Sequence, residues 1–296
     1  MDVLRLKKVA ALVSALAVHA VLGVVGAPPG AADPIGFARR TIGGIDQIVT
    51  IDLQSGAVTL VGDSGLPPST QALTFSPGGV LYGTNSGSPE RLVTVDQATG
   101  AATVVGPMAN WIATGMTFDA DGGLWAIGGN PSHLYSVDPE TGDSIQIGPL
   151  GQEILRGLVA ECDGTLLTLS PETDTLLRID PAGPSIETIG PLGHDILSGS
   201  LSWDADGTLW MLSQIPNGIA TYTVDPDTGA ATLIFSGAPQ GTPTNLAIAP
   251  LSGCPDPPPT SSTTTPTTSP STSSVPSTVT PTTAAQALTA TPRFTG

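Results

Sequence analysis

Between Asp33 and Cys254 the chain has no lysine, and its basic residues are Arg39, Arg40, Arg91, Arg156 and Arg178. The same stretch holds 23 of the 25 acids, a formal charge of −18. A surface so short of cations cannot neutralise a phosphate backbone, which excludes nucleic acid as a partner and anionic membrane with it. The excess acid serves solubility. Histidine is scarce as well: His133 and His194 are the two in this stretch, too few for a multi-histidine metal centre. There is no Gly-x-Ser-x-Gly, no phosphate-binding loop and no dinucleotide fingerprint. No metal and no cofactor is therefore expected.

Cysteine is limited to Cys162 and Cys254. In an exported chain the expectation is one disulfide between them, with two buried thiols as the alternative. Closing a loop of 92 residues is worth on the order of 4 kcal/mol in the chain-entropy model.

Long apolar runs are missing too, apart from Val9–Gly26. It follows a basic start (Arg5, Lys7, Lys8) and precedes the small residues Gly30 and Ala32. That order is a secretory signal peptide, residues 1–32, cut after Ala32. An uncleaved anchor is the competing reading, but Ser14 and His19 interrupt the run. With the leader removed, no membrane span is left. The protein is expected outside the cell, free or at the envelope. At the other end, residues 255–296 form a tail rich in Ser, Thr and Pro, which has too little apolar surface to offset the entropy of ordering. It reads as a disordered tail, either an O-glycosylated stalk or a plain linker.

What remains, residues 33–254, is one domain built from repeats. IVTIDLQSGAVTLVG, LVTVDQATGAATVVG, LYSVDPETGDSIQIG, LLRIDPAGPSIETIG and TYTVDPDTGAATLIF recur, with turn aspartates at Asp52, Asp96, Asp138, Asp180 and Asp225. Their spacings are 44, 42, 42 and 45 residues. Asp at the first turn position and Gly at the end make a tight hairpin. Asp180 reaches Gly183 one residue early, so a different hairpin is expected there. Between these units lies a second strand pair, as in GMTFDADGGLWAIGG and GSLSWDADGTLWMLS. Four strands per period of about 42 residues is one blade of a β-propeller. We name the strands a, b, c and d from the axis outwards. The first repeat starts at b with Ile35–Thr41, and the last strand, Asn245–Ala249, is an a without a b. The two ends complete one blade. The fold class is all-β, a five-bladed propeller closed by its C-terminal strand and expected as a monomer. A β-solenoid and a six-bladed ring are the alternatives, and the period and the length disfavour them.

These units resemble the repeats of secreted bacterial propellers, including domain-of-unknown-function, YVTN-type and quinoprotein-like families. The resemblance runs from Gln47 to Ala249. It implies the propeller architecture and no catalytic residue that carries over to this chain. Tyr82, Trp125, Trp210 and Trp203 recur at blade positions and read as packing between blades. The DADG segments at Asp119 and Asp204 read as turns, since the full calcium-loop pattern is absent.

The d–a loops are the most individual part of each repeat and open beside the channel, where propellers receive ligands. Aligned on strand a, the positions at this mouth are Gln71, Thr114, Arg156, Gly199 and Thr244. Glu153, His194, Asp195 and Trp111 lie on the neighbouring loops. Arg156 with Glu153, and His194 with Asp195, form a candidate binding set for a polar or sugar-like ligand. The ordinary reading is an Arg156–Glu153 pair and a solvated His194–Asp195 loop. The expected function is non-catalytic binding of an extracellular ligand, glycan or protein. The alternatives are a hydrolase or lyase at the channel mouth and a structural scaffold of the envelope.

Overall fold

The structure, a computed structural model, describes residues 34–67, 70–108, 111–152, 154–239 and 241–249. The leader, the tail and Cys254 lie outside these residues. Blade 1 contains β1 (Ile35–Ile42), β2 (Ile45–Asp52) and β3 (Val58–Asp63). Blade 2 is β4 (Thr70–Phe75), β5 (Leu81–Asn85), β6 (Arg91–Val95) and β7 (Ala102–Pro107). Blade 3 is β8 (Ala113–Phe118), β9 (Leu124–Gly128), β10 (His133–Val137) and β11 (Ser144–Pro149). Blade 4 is β12 (Arg156–Ala160), β13 (Leu166–Ser170), β14 (Thr175–Asp180) and β15 (Ser185–Pro191). Blade 5 is β16 (Ser198–Trp203), β17 (Leu209–Ile215), β18 (Gly218–Val224) and β19 (Ala231–Gly237). The last strand, β20 (Thr244–Ile248), returns to blade 1.

Each blade is a four-stranded antiparallel sheet, and blade 1 has the order β20-β1-β2-β3. Its inner strand thus comes from the end of the domain and its other three from the start. Gly36 faces Ile248 and Phe37 faces Ala247 in this pairing. The inner strands β4, β8, β12, β16 and β20 follow one another around the axis. The five-bladed ring expected from the repeats is the one observed, with its closing strand where the sequence put it.

A lone blade cannot bury its own faces, and the core is accordingly divided into five clusters, each between two blades. Leu169, Leu201 and Met211 fill the cluster between blades 4 and 5, for example, and Val49, Trp210 and Leu246 the one between 5 and 1. Hydroxyls stitch the inner strands across these gaps. Leu246 N–H donates to Ser200 Oγ at 2.8 Å, Ile248 N–H to Ser202 Oγ at 2.9 Å, and Ala160 N–H to Thr117 Oγ1 at 3.3 Å. These donors sit on strand edges that no neighbouring strand pairs, so the hydroxyls satisfy groups that burial leaves costly.

The repeat aspartates act as expected. Asp52, Asp96, Asp138 and Asp225 each accept two N–H bonds from their own turn. These bonds, preceded at Asp96 by the Thr99 hydroxyl, hold the carboxyls below the usual carboxylate range. Each turn ends on a glycine at positive φ: Gly56, Gly100, Gly142 or Gly229. Asp180 bonds Ala182 N–H, and Gly183 has no positive φ, so its hairpin is indeed of another kind. The glycine that closes most repeats has a different cause. A Cβ at Gly62, Gly106 or Gly190 would overlap the carbonyl of Thr99, Thr141 or Thr228 in the next blade. It is a point where two backbones approach closely.

Candidate functional site

The channel has two mouths. At the d–a mouth, Thr114, Arg156, Gly199 and Thr244 sit at equivalent points of β8, β12, β16 and β20, all partly exposed. Gln71 holds the same place on β4, and its side chain lies outside the described residues. Thr114 is committed: its hydroxyl donates to the Ile127 carbonyl at 3.3 Å. Arg156 is not. Among the described residues the ion pairs are Arg39–Asp46 and Arg178–Glu161, and Arg156 joins neither. Burial pushes its guanidinium below the ordinary arginine value, with no carboxylate to counter the shift. The expected partner, Glu153, lies outside the described residues. Around Arg156 three consecutive loops expose a large aliphatic side chain at the same position. Ile112 is 53% exposed, Ile154 39% and Leu197 61%.

The loop aromatics turn elsewhere. Trp111 stacks flat on Tyr135 of β10, with centroids 3.9 Å apart and planes 5° apart. His194 leans on Tyr222 of β18 at 4.9 Å. Tyr135 and Tyr222 occupy equivalent c-strand positions, so one packing device recurs in blades 3 and 5. Asp195 is exposed to solvent. The structure thus gathers Arg156, Thr114 and the aliphatic rim, and it seats Trp111 and His194 against tyrosines.

The d–a loops are also held from beneath, in a way the sequence reading missed. Residues Glu90, Ser132 and Asp174 precede strand c in blades 2, 3 and 4. Their side chains accept N–H bonds from Ala113 (3.1 Å), Leu155 (3.0 Å) and Ile196 (2.9 Å) in the following loop. Their carbonyls accept from Met108, Leu150 and Leu192. Glu90 is 1% exposed, and its Oε1 is buried without a hydrogen bond. Desolvation raises its pKa to about 7, offset in part by the nearby Thr84 hydroxyl and the Ala113 N–H. The blade 1 equivalent, Asp46, is fully buried and takes Arg39 as its counter-ion.

Below the d–a mouth the channel closes. The backbones of Gly115 and Gly157 come so near that a Cβ at Gly115 would lie 2.6 Å from the Gly157 carbonyl carbon. At the next level stand Leu73, Met116, Leu158, Leu201 and Leu246, each 1–5% exposed. The space left among them is about 10 Å³, roughly one water.

The a–b mouth, on the far side of this plug, holds the larger recess, about 150 Å³. Its base is the same Leu/Met ring, and Phe75, Phe118 and Trp203 contribute to its wall. Trp203 therefore both packs between blades and lines a cavity, whereas Tyr82, Trp125 and Trp210 pack. The polar groups of this mouth are engaged. Asp119 accepts from the N–H groups of Asp121 and Gly123 and from Trp125 Nε1 at 2.8 Å. Asp204 does the same with Asp206, Thr208 and Trp210 Nε1 at 2.8 Å. The DADG segments are turns that also anchor an indole. Glu161 pairs with Arg178 at 2.8 Å, and Trp203 Nε1 donates to the Ala160 carbonyl at 2.9 Å. The two mouths thus differ from the single d–a mouth that the loop sequences draw attention to. The apolar and cationic surface is there, and the deeper recess is opposite.

Blades 1 to 3 share one unit: strand c, an Asp turn, strand d and a closing glycine against the next blade. Residues 35–154 match the family profile of a repeat of unknown function, DUF6923. The DUF6923 match spans β1 to β11 and stops two residues short of Arg156. It thus covers the turn and glycine signature, and Arg156, His194 and Asp195 lie beyond it. No curated protein matches the chain. Among solved structures, a chain of a nidogen/laminin complex aligns at 13% identity with a TM-score of 0.51, covering 75% of this chain and 99% of that one. A protein of unknown function from Bacteroides thetaiotaomicron gives 13% and 0.51, over 75% and 69%. TolB from Acinetobacter baumannii gives 16% and 0.47, over 74% of this chain, and this chain spans 58% of TolB. At such identities the first two speak for the fold alone.

Proposed function

We propose that the protein is an exported, non-catalytic propeller that binds an extracellular partner, a glycan or a protein, at its d–a mouth. The observation that carries this reading is Arg156. Among the described residues this half-buried guanidinium has no counter-ion, so burial has removed hydration without an ionic partner there to offset it. A ligand carboxylate set there forms a charge-assisted, bidentate pair. The exposed Ile112, Ile154 and Leu197 surround it with apolar surface for the rest of the partner. Gln71, Thr114 and Glu153 complete the proposed set, and Asp195 stands at its edge. Export rests on the basic, apolar and small-residue order of residues 1–32. Among the described residues no helix is long and apolar enough to cross a membrane. The Cys162–Cys254 disulfide belongs to the same proposal: Cys162 lies in the β12–β13 turn, and no described cysteine is free.

The test is a glycan and peptide array probed with the purified protein and with Arg156→Ala. Binding that falls at least about ten-fold in the variant, and returns in part with Arg156→Lys, supports the reading. A partner bound equally well by Arg156→Ala places the site elsewhere. An envelope scaffold without a small ligand is the second reading, favoured by the closed channel. An array with no hit, together with retention of the protein in the cell-wall fraction, supports it.

A further inference from the structure

The a–b recess is separate from the Arg156 surface, because the ring of Leu73, Met116, Leu158, Leu201 and Leu246 stands between them. Its volume, about 150 Å³, is that of an engineered apolar cavity that stays dry and takes up a six-membered ring. The wall is apolar for the same reason the blades pack: strand a turns its large side chains to the gaps between blades. The hydroxyls beside it face the strands. Thr117 Oγ1 donates to the Phe118 carbonyl and accepts from Ala160 N–H, and Ser202 Oγ accepts from Ile248 N–H. Such a wall lacks the oxygen cage a metal ion needs.

The rim is charged with one sign. Asp119 and Glu161 line the recess, and the a–b turns of blades 3, 4 and 5 that follow its strands also carry Asp121, Asp163, Asp204 and Asp206. The cation facing them is Arg178, which is spent on Glu161. Asp119 and Asp204 accept N–H bonds from their own turns, and Asp121 and Asp206 are exposed. Low-dielectric walls beneath a ring of carboxylates focus a field that draws cations and repels anions.

We propose that this recess binds a compact organic cation with an apolar body, of the quaternary-ammonium class. The alkyl groups displace water from the Leu, Met and Phe wall, and the charge stays at the acidic rim. Aromatic side chains in the wall add attraction for such a cation. A metal ion cannot shed its water there, and a carboxylate meets repulsion.

Three probes of one shape and three charges test this: choline, its neutral isostere 3,3-dimethylbutan-1-ol, and 3,3-dimethylbutanoate. Calorimetric titration of the full chain at low salt should show one saturable choline site, about ten-fold tighter than the alcohol, and no site for the carboxylate. Asp121→Asn/Asp206→Asn changes exposed side chains that accept no hydrogen bond in the turns. It should weaken choline about three-fold and leave the alcohol unchanged. Trp203→Leu should weaken both. Arg156→Ala should change neither, and a loss of choline in that variant would move the site to the other mouth. The proposal fails if the alcohol binds as tightly as choline, if the Asn pair leaves choline untouched, or if none of the three binds. None of these failures bears on the Arg156 surface, which its own array tests.

Discussion

The two mouths of the channel are made from the same repeat and finished differently. On the a–b side every described connection is a short turn closed by its own backbone bonds, as in Asp119 to Gly123 and Asp204 to Thr208. Asp119 and Asp204 there each accept two backbone N–H groups and also fix a tryptophan. On the d–a side the loops are longer, differ from blade to blade, and are held by a single side chain from below. One such anchor, Glu90, is a carboxyl in an apolar setting; its neighbours in the series are Ser132 and Asp174. The a–b mouth is therefore a rigid rim around a recess, and the d–a mouth an adjustable surface over a plug. A repeat can vary its ligand surface without disturbing its closure when the two jobs sit at opposite ends of the same strand.

The contrast can be broken most forcefully at the rigid end. Trp210→Ala empties a site that is 5% exposed and leaves an Asp204 oxygen unpaired. It should cost about 3–5 kcal/mol in urea unfolding. A loss under about 1 kcal/mol would mean that the a–b turn does not depend on its indole.

Next comes the anchor of the adjustable end. The Glu90 carboxyl has its pKa raised from 4.5 to about 7 by burial. Below the unfolded value both states are protonated and the group costs nothing. As pH rises towards 7 the unfolded chain releases a proton that the folded one retains, so stability falls. The full cost at pH 8 is about 3 kcal/mol. Glu90→Gln should remove that slope and be the more stable protein at pH 8, with the two proteins close together at pH 4.5. Parallel unfolding midpoints for both proteins across that range would show Glu90 to be ionised and satisfied in the fold.

The smallest effect separates packing from binding. Trp111→Ala forfeits a flat stack on Tyr135 and should cost about 1–2 kcal/mol, while any partner that needs Arg156 keeps its affinity. A variant of normal stability that loses the partner would return Trp111 to the binding set.

The frame was legible because each blade is cut by turn chemistry that leaves a mark at fixed spacing. The Asp52-to-Asp225 series gave the period, and the orphan strand at Leu246 gave the closure. The sites were harder. Leu73, Met116 and Leu246 are ordinary core residues in a one-dimensional reading, and only the ring puts them at one level to make a plug. Glu90 precedes strand c like Ser132, but its burial comes from the loop of the next blade, 23 residues on. Trp111 and His194 looked available because nothing in their own loops claims them; the tyrosines that do lie on strand c. One signal was present and unread. Asp119 to Trp125 and Asp204 to Trp210 have the same six-residue spacing, which pairs each turn carboxylate with an indole.

Because β20 supplies the inner edge of the first blade, that blade takes strands from both ends of the order of synthesis. The earliest of the described strands to leave the ribosome, β1, waits for a partner made more than 200 residues later. Until blade 5 and β20 are made, Val49 and Ile51, both fully covered in the finished ring, lack the residues they pack against on that side. A chain that stops anywhere before Thr244 therefore lacks more than its final strand, because its first blade is left unsealed as well.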